Sequence, residues 1–132
     1  MYNMIMKKYL PTLNKLFNQY DEIKLVYLFG SQVSRKTTPL SDYDFALYLD
    51  PKTTVNRKSE IMLTVIAEIS KILQTNKIDL ILLNNSIFPL LKFNILKEGI
   101  LIYQKSPYKI LVEPAIYNEY FDFKVFSQSY SL

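Results

Sequence analysis

The stretch that decides the fold is Leu28-Phe29-Gly30-Ser31-Gln32-Val33-Ser34-Arg35-Lys36-Thr37-Thr38-Pro39-Leu40-Ser41-Asp42-Tyr43-Asp44. An apolar strand, Ile23 to Phe29, runs into Gly30-Ser31, and after a polar excursion a second strand opens with Asp42 and Asp44. Gly30 has no side chain, so an anion such as a phosphate can approach its backbone closely, and Ser31 adds a hydroxyl donor where a helix can begin. Asp42 and Asp44 are two apart on a predicted strand, which sends both carboxylates to one face. Tyr43, Phe45, Leu47 and Leu49 then point the other way, into a core. Two carboxylates this close repel unless a positive charge lies between them, and a divalent metal held through oxygen resolves the conflict.

Working outward, the third predicted strand is Lys77 to Asn84, whose one acid, Asp79, sits among apolar neighbours. Between the second and third strands lies a helix over Val55 to Gln74. Its residues Ile61, Met62, Val65, Ile66, Ile69, Ile72 and Leu73 keep the helical period. A further helix is expected with Ser86 as N-cap, Pro89 in its first turn and Gly99 as its stop, presenting Ile87, Leu90, Leu91 and Ile95 to the sheet. Ile100 to Tyr103 reads as a short last strand. The N-terminal Met1 to Tyr20 is helical, with Leu13, Leu16 and Phe17 on one stripe and a kink or start expected near Pro11. Gln32 to Lys36 reads as a short helix, and Thr37 to Ser41 as turn chemistry around Pro39. After Ser106-Pro107 a last helix begins, which Pro114 is expected to break or bend. Helical crossovers between strands predict an α/β (α+β) fold, with a mixed β-sheet of about four strands flanked by helices.

The spacing resembles a known family. Gly30-Ser31, ten residues, then Asp42-Tyr43-Asp44 is similar to the signature of the polymerase-beta-like nucleotidyltransferases, and the short chain to their minimal branch, the MNT domain. Lys77 to Asn84 resembles the third carboxylate strand of that fold, and Leu90 to Tyr103 the helix and edge strand that close it. Where many members carry Ala-Arg-Gly, this chain has Val33-Ser34-Arg35, so the arginine is displaced by one residue. Arg35, Lys36 and Lys52 are phosphate candidates, although ordinary exposed charge is the simpler reading of each.

The resemblance implies a site. Asp42, Asp44 and Asp79 would be the catalytic and metal-holding carboxylates, with two Mg²⁺ ions expected and Asp79 placed to accept the proton of the attacking hydroxyl. Gly30, Ser31, Asp42 and Asp44 would bind the nucleotide, the first two at its β and γ phosphates. Minimal members resemble the antitoxin halves of HEPN/MNT toxin–antitoxin pairs. That implies a protein adenylyltransferase moving AMP from ATP to a tyrosine of a HEPN RNase toxin. Rival readings are a non-catalytic antitoxin that occludes its toxin, a nucleotidyltransferase for a small molecule such as an aminoglycoside, and, last, a nucleic-acid-binding module.

The composition narrows these choices. The chain has 132 residues, a length suited to one compact domain, with residues 104–132 a candidate partner-docking arm. Cysteine and histidine are both absent, so a metal must be held by oxygen and a general base must be a carboxylate or lysine. The net charge is +4, yet the lysines are scattered and form no basic aromatic platform, so direct binding of nucleic acid is not expected. No apolar run would cross a bilayer and no signal-peptide pattern opens the chain, which makes the cytoplasm the default expectation. Tyr117, Tyr120, Phe121, Phe123, Phe126 and Tyr130 crowd the C-terminal stretch, as core or as a partner-binding surface.

Overall fold

The structure is a computed structural model that describes residues 4–30, 42–85 and 88–129. The elements run α1 (Met4–Asn18), β1 (Ile23–Phe29), β2 (Tyr43–Leu49), α2 (Val55–Leu73), β3 (Ile78–Leu82), α3 (Pro89–Glu98), β4 (Ile100–Gln104) and α4 (Tyr108–Ser129). The four strands form one sheet in the order β3-β2-β1-β4. β1 is antiparallel to both of its neighbours, and β2 runs parallel to β3, so the sheet is mixed as expected. Strand β1 is central, and its first six residues are buried.

Alternation along the strands divides the apolar side chains between two layers. On one face Val26, Leu28, Phe45, Leu47, Leu49, Leu80 and Leu82 meet α1 and α2, through Leu13, Phe17, Ile61, Val65 and Ile69. On the other, Leu25, Tyr27 and Ala46 meet α3 and α4 through Ile95, Val112 and Ile116. Helix α2 is capped at both ends. The Thr54 hydroxyl accepts from the Arg57 amide, and Gln74 closes the helix in the left-handed region at φ 56°.

Several expectations need correction. Helix α1 begins at Met4 and continues through Pro11, rather than starting there. Pro11 is exposed, so the Lys7 carbonyl that loses its amide partner can be hydrated, while Met6, Leu13 and Phe17 anchor the helix on both sides. Helix α4 likewise runs unbroken through Pro114, with Val112 and Ile116 buried on either side. Helix α3 is capped by Phe88, which supplies no side-chain acceptor, and not by Ser86, which lies outside the described residues. Of the residues expected to face the sheet from α3, Ile95 is buried, Leu90 and Leu91 are exposed, and Ile87 lies outside the described residues. Gly99 does end α3, in an extended conformation, because a Cβ there would stand 2.4 Å from the Ile95 carbonyl and 3.0 Å from that of Leu28. The second strand starts at Tyr43 with Asp42 just outside it, and the third is shorter than expected, Ile78–Leu82.

Helix α4 changes character along its length. Its first half is tied to the sheet by Val112, Ile116 and the Tyr27 hydroxyl, which donates to Glu113 Oε2 at 2.5 Å. Next, Phe93 of α3 stacks on Tyr120 at 4.1 Å between centroids and meets Tyr117 edge-on. Beyond that, Phe121, Phe123, Val125 and Phe126 are all exposed. No helix among the described residues is long and apolar enough to cross a membrane.

Candidate active site

Three of the predicted site residues come together at one end of the sheet. The pairing of β2 with β3 places Asp44 directly beside Asp79, in register with Tyr43↔Ile78 and Phe45↔Leu80. Because Ala46 and Ile81, two residues further along, belong to the α3/α4 layer, Asp44 and Asp79 open onto that face of the sheet. Asp42, two residues before Asp44 and exposed, lies at the same end. These strands read as apolar because their other residues are core. The acids stand where the α3/α4 layer leaves the strand starts uncovered.

The electrostatics carry the mark of crowded negative charge. The Asp44 carboxyl is pushed up to about 6, first by burial and then by the charges of Asp79 and Asp42. Both neighbours are thus close enough for their fields to add at Asp44. Among the described residues, however, no three acids are gathered tightly enough to hold a metal ion as they stand. The carboxylates share a field rather than a coordination sphere. That still fits Mg²⁺, which takes one or two carboxylates and fills the rest of its octahedron with water and substrate phosphate. The donors are all oxygen, which suits a hard divalent cation. Among the described residues Asp79 has no lysine within ion-pair distance, so the pairing with Lys77 that would make it merely structural is not formed.

Gly30 has a second role that the sequence did not reveal. Its φ is +77°, a conformation that other residues adopt at a cost. A Cβ on Gly30 would lie 2.2 Å from Asp44 Oδ2 and 3.1 Å from its Cγ. So the glycine leaves room for the Asp44 carboxylate as well as for any incoming anion. The register pair Phe29↔Asp44 is what brings them together, and strand pairing is not visible in a sequence motif. Ser31, Arg35, Lys36 and the expected helix from Gln32 to Lys36 lie outside the described residues. Lys52 is exposed, and its amide donates to the Asp50 side chain at the opposite end of β2.

Known proteins share this fold. In fold, the chain is similar to solved structures of the MntA–HepT toxin–antitoxin complex (18% identity, 93% of each chain covered, TM-score 0.68). It is equally similar to a toxin–antitoxin structure with AMP-PNP, at 18% identity, 93% of each chain and TM-score 0.69. A third is the tri-AMPylated Shewanella oneidensis HEPN toxin in complex with MNT antitoxin, at 18% identity, 93% of this chain and 92% of that one, TM-score 0.69. No curated protein matches the sequence. The family model described as "Polymerase beta, Nucleotidyltransferase" matches residues 11–108, a span that contains every strand, Gly30 and all three carboxylates, and the chain therefore belongs to that nucleotidyltransferase family.

Proposed function

We infer that the protein is an antitoxin-type adenylyltransferase, which moves AMP from ATP to a tyrosine of a HEPN-family RNase toxin and so silences it. The observation that carries the catalytic half of this reading is the convergence of Asp79 and Asp42 on Asp44 beside Gly30. The toxin half is supported by fold likeness to MNT antitoxin complexes, one of them holding an AMPylated HEPN toxin.

In the reaction the tyrosine oxygen attacks the α-phosphorus, a new O–P bond forms, and the bond to pyrophosphate breaks. Asp42 and Asp44 would hold the Mg²⁺ ions expected with the nucleotide, and Asp79 would complete that oxygen set. A bound divalent cation supplies neutralisation of the charge that builds on the triphosphate. Asp79 accepts the proton released by the tyrosine hydroxyl, being the more exposed of the strand pair. Gly30 admits a phosphate to its backbone, and the fixed strands hold the acids so that positioning costs nothing when substrate arrives. Ser31 is the proposed second donor to the phosphates.

Labelled ATP, Mg²⁺, this protein and a candidate HEPN-type protein test the reading directly. Label should appear on the HEPN protein and vanish with Asp44→Asn. Absence of label under conditions where nucleotide binds would refute transfer. Survival of toxin neutralisation in cells carrying Asp42→Asn with Asp44→Asn would assign it to occlusion alone.

A further inference from the structure

Strict alternation along β1 would send Lys24 to the side of Val26 and Leu28, into the α1/α2 layer. A bulge prevents this. The register with β2 passes from Ile23↔Leu49 to Leu25↔Tyr48, so Lys24 is an extra residue with no partner on that strand. Its side chain turns to the opposite face, where the ammonium lies over the ring of Tyr108, 5.2 Å from the centroid. Tyr108 is the first residue of α4. The bulge thus delivers a lysine to the start of a helix.

Lys24 is 8% exposed, and among the described residues it is the one charged side chain buried to this degree. Among those residues no carboxylate stands within 4.0 Å of its ammonium, which makes no hydrogen bond. The Tyr108 ring attracts the charge but offers no acceptor to its three N–H donors. Lys105, whose amide donates to the Lys24 carbonyl, has already given its own ammonium to the carbonyls of Tyr20 and Asp21. Burying a cation this far without an anion is costly.

The helix start has the same need. The Tyr108 amide bonds to the Lys105 carbonyl and the Leu111 amide to that of Pro107, but among the described residues the amides of Lys109 and Ile110 between them reach no acceptor. No acid stands in the first turn to answer the positive end of the helix dipole. The turn is also reachable. Ser106, Lys109 and Ile110 line an open cleft of about 520 Å³, whose one acid, Glu113, is engaged by the Tyr27 hydroxyl. Two positive poles, one from the strand and one from the helix, therefore meet without a negative group between them.

We propose that Lys24 and the start of α4 form a binding site for a phosphate group, free or carried on a small molecule. The amides of Lys109 and Ile110 and the Lys24 ammonium are its donors, and a phosphate has enough oxygens to accept from strand and helix together. Leu25, next to Lys24, pairs with Tyr48, which is four residues from Asp44 along β2. At about 3.3 Å per residue the site lies roughly 13 Å along the sheet from the carboxylates. It is therefore separate from the proposed nucleotide site and independent of the adenylyltransferase reading.

The experiment titrates the full chain, labelled for amide NMR, with inorganic phosphate, pyrophosphate or AMP, in chelator and at constant ionic strength. Saturable shifts are expected at the Lys109 and Ile110 amides, in wild type and in Asp44→Asn alike. Lys24→Met keeps the buried stem and loses the ammonium, so it should raise Kd at least about tenfold, while Lys24→Arg keeps binding. Amide dispersion reports whether each variant is folded. Should Lys24→Met unfold, Ile110→Pro takes its place, since it deletes one of the free amides in a first turn, where proline is tolerated, and the same loss is expected. Tighter binding of AMP than of phosphate would uphold the site and assign it to a nucleotide, and the reverse would uphold it for a free anion. Shifts that never saturate and spread over exposed lysines would overturn the proposal. So would shifts confined to Gly30 and Ser31, or a Kd in folded Lys24→Met equal to that of wild type, and either result would leave the adenylyltransferase reading standing.

Discussion

The two faces of the sheet are built from the same strands and differ in how fully they are closed. On the α1/α2 face Phe45, Leu47 and Leu49 are completely buried, at 0% exposure. On the α3/α4 face the alternate residues of the same strand are Asp44, Ala46 and Tyr48, and only Ala46 is fully buried. One face therefore supplies stability while the other, incompletely covered, has room for charge and for ligands. The open face can carry repelling carboxylates because the closed one holds the strands in place.

Asp44→Asn should break this division of labour most sharply. Removing the central carboxylate is expected to lower transfer at least about 10²-fold, read as label on the HEPN protein. At the same time it should stabilise the protein in chelator. The Asp44 carboxyl is raised to about 6 from 3.8, so the folded state binds the proton more tightly than the unfolded one. Stability is therefore fully present below about pH 3.8 and is lost as pH rises towards 6. Melting curves between pH 4 and 7 in chelator should show that decline in wild type and a flatter profile in Asp44→Asn. A wild-type midpoint that climbs over the same interval contradicts the crowded-charge account.

The closed face is sharpened by the opposite change. Phe45→Ala should cost about 3–5 kcal/mol by chemical denaturation, since it empties a site with no exposure between the sheet and its helices. Ala46, the next residue along but on the other face, carries only a methyl group and offers far less to remove. Retention of Mg²⁺-dependent nucleotide binding by whatever Phe45→Ala remains folded would show that the two faces fail separately.

Much of this division can be read from residues alone. Period-two alternation in Asp42 to Leu49 predicts which side is core, and an acid inside each of two apolar strands marks where burial must be compensated. What pattern reading cannot see is tertiary override. Pro11 and Pro114 look like breaks because proline deletes an amide, yet both are exposed and flanked by buried residues that hold the helix through them. Leu90 and Leu91 sit at helical spacing from Ile95 but are left exposed, since α3 touches the sheet along a narrow line. The spacing of Gly30 from Asp44 likewise predicts a shared site without revealing that the glycine makes room for the carboxylate. That contact belongs to the β1–β2 register.

Gly30→Ala tests that contact. It imposes two costs, a positive φ on an L-residue and a Cβ 2.2 Å from Asp44 Oδ2, together about 1–3 kcal/mol. A double-mutant cycle separates them. In an Asp44→Ala background the steric part disappears, so Gly30→Ala should destabilise less than it does in wild type. Equal costs in both backgrounds would mean that the glycine serves backbone conformation only.

The smallest effect is expected where α4 is tied to the open face. The Tyr27 hydroxyl donates to Glu113, and burial, followed by that bond, raises its pKa above the ordinary phenol value of 10.0. Tyr27→Phe leaves the Glu113 carboxylate without this donor and should cost about 1–2 kcal/mol near neutral pH. The sign with pH is fixed by the direction of the shift. Because the folded state holds the phenolic proton more tightly than the unfolded state, stability is complete below pH 10 and is lost as pH rises beyond it. Wild type should therefore lose stability more steeply than Tyr27→Phe between pH 9 and 11, and the two denaturation midpoints should converge as the alkaline limit is approached. Parallel pH profiles would show that the hydroxyl contributes nothing beyond packing, and that apolar contacts through Val112 and Ile116 alone hold α4 against the sheet.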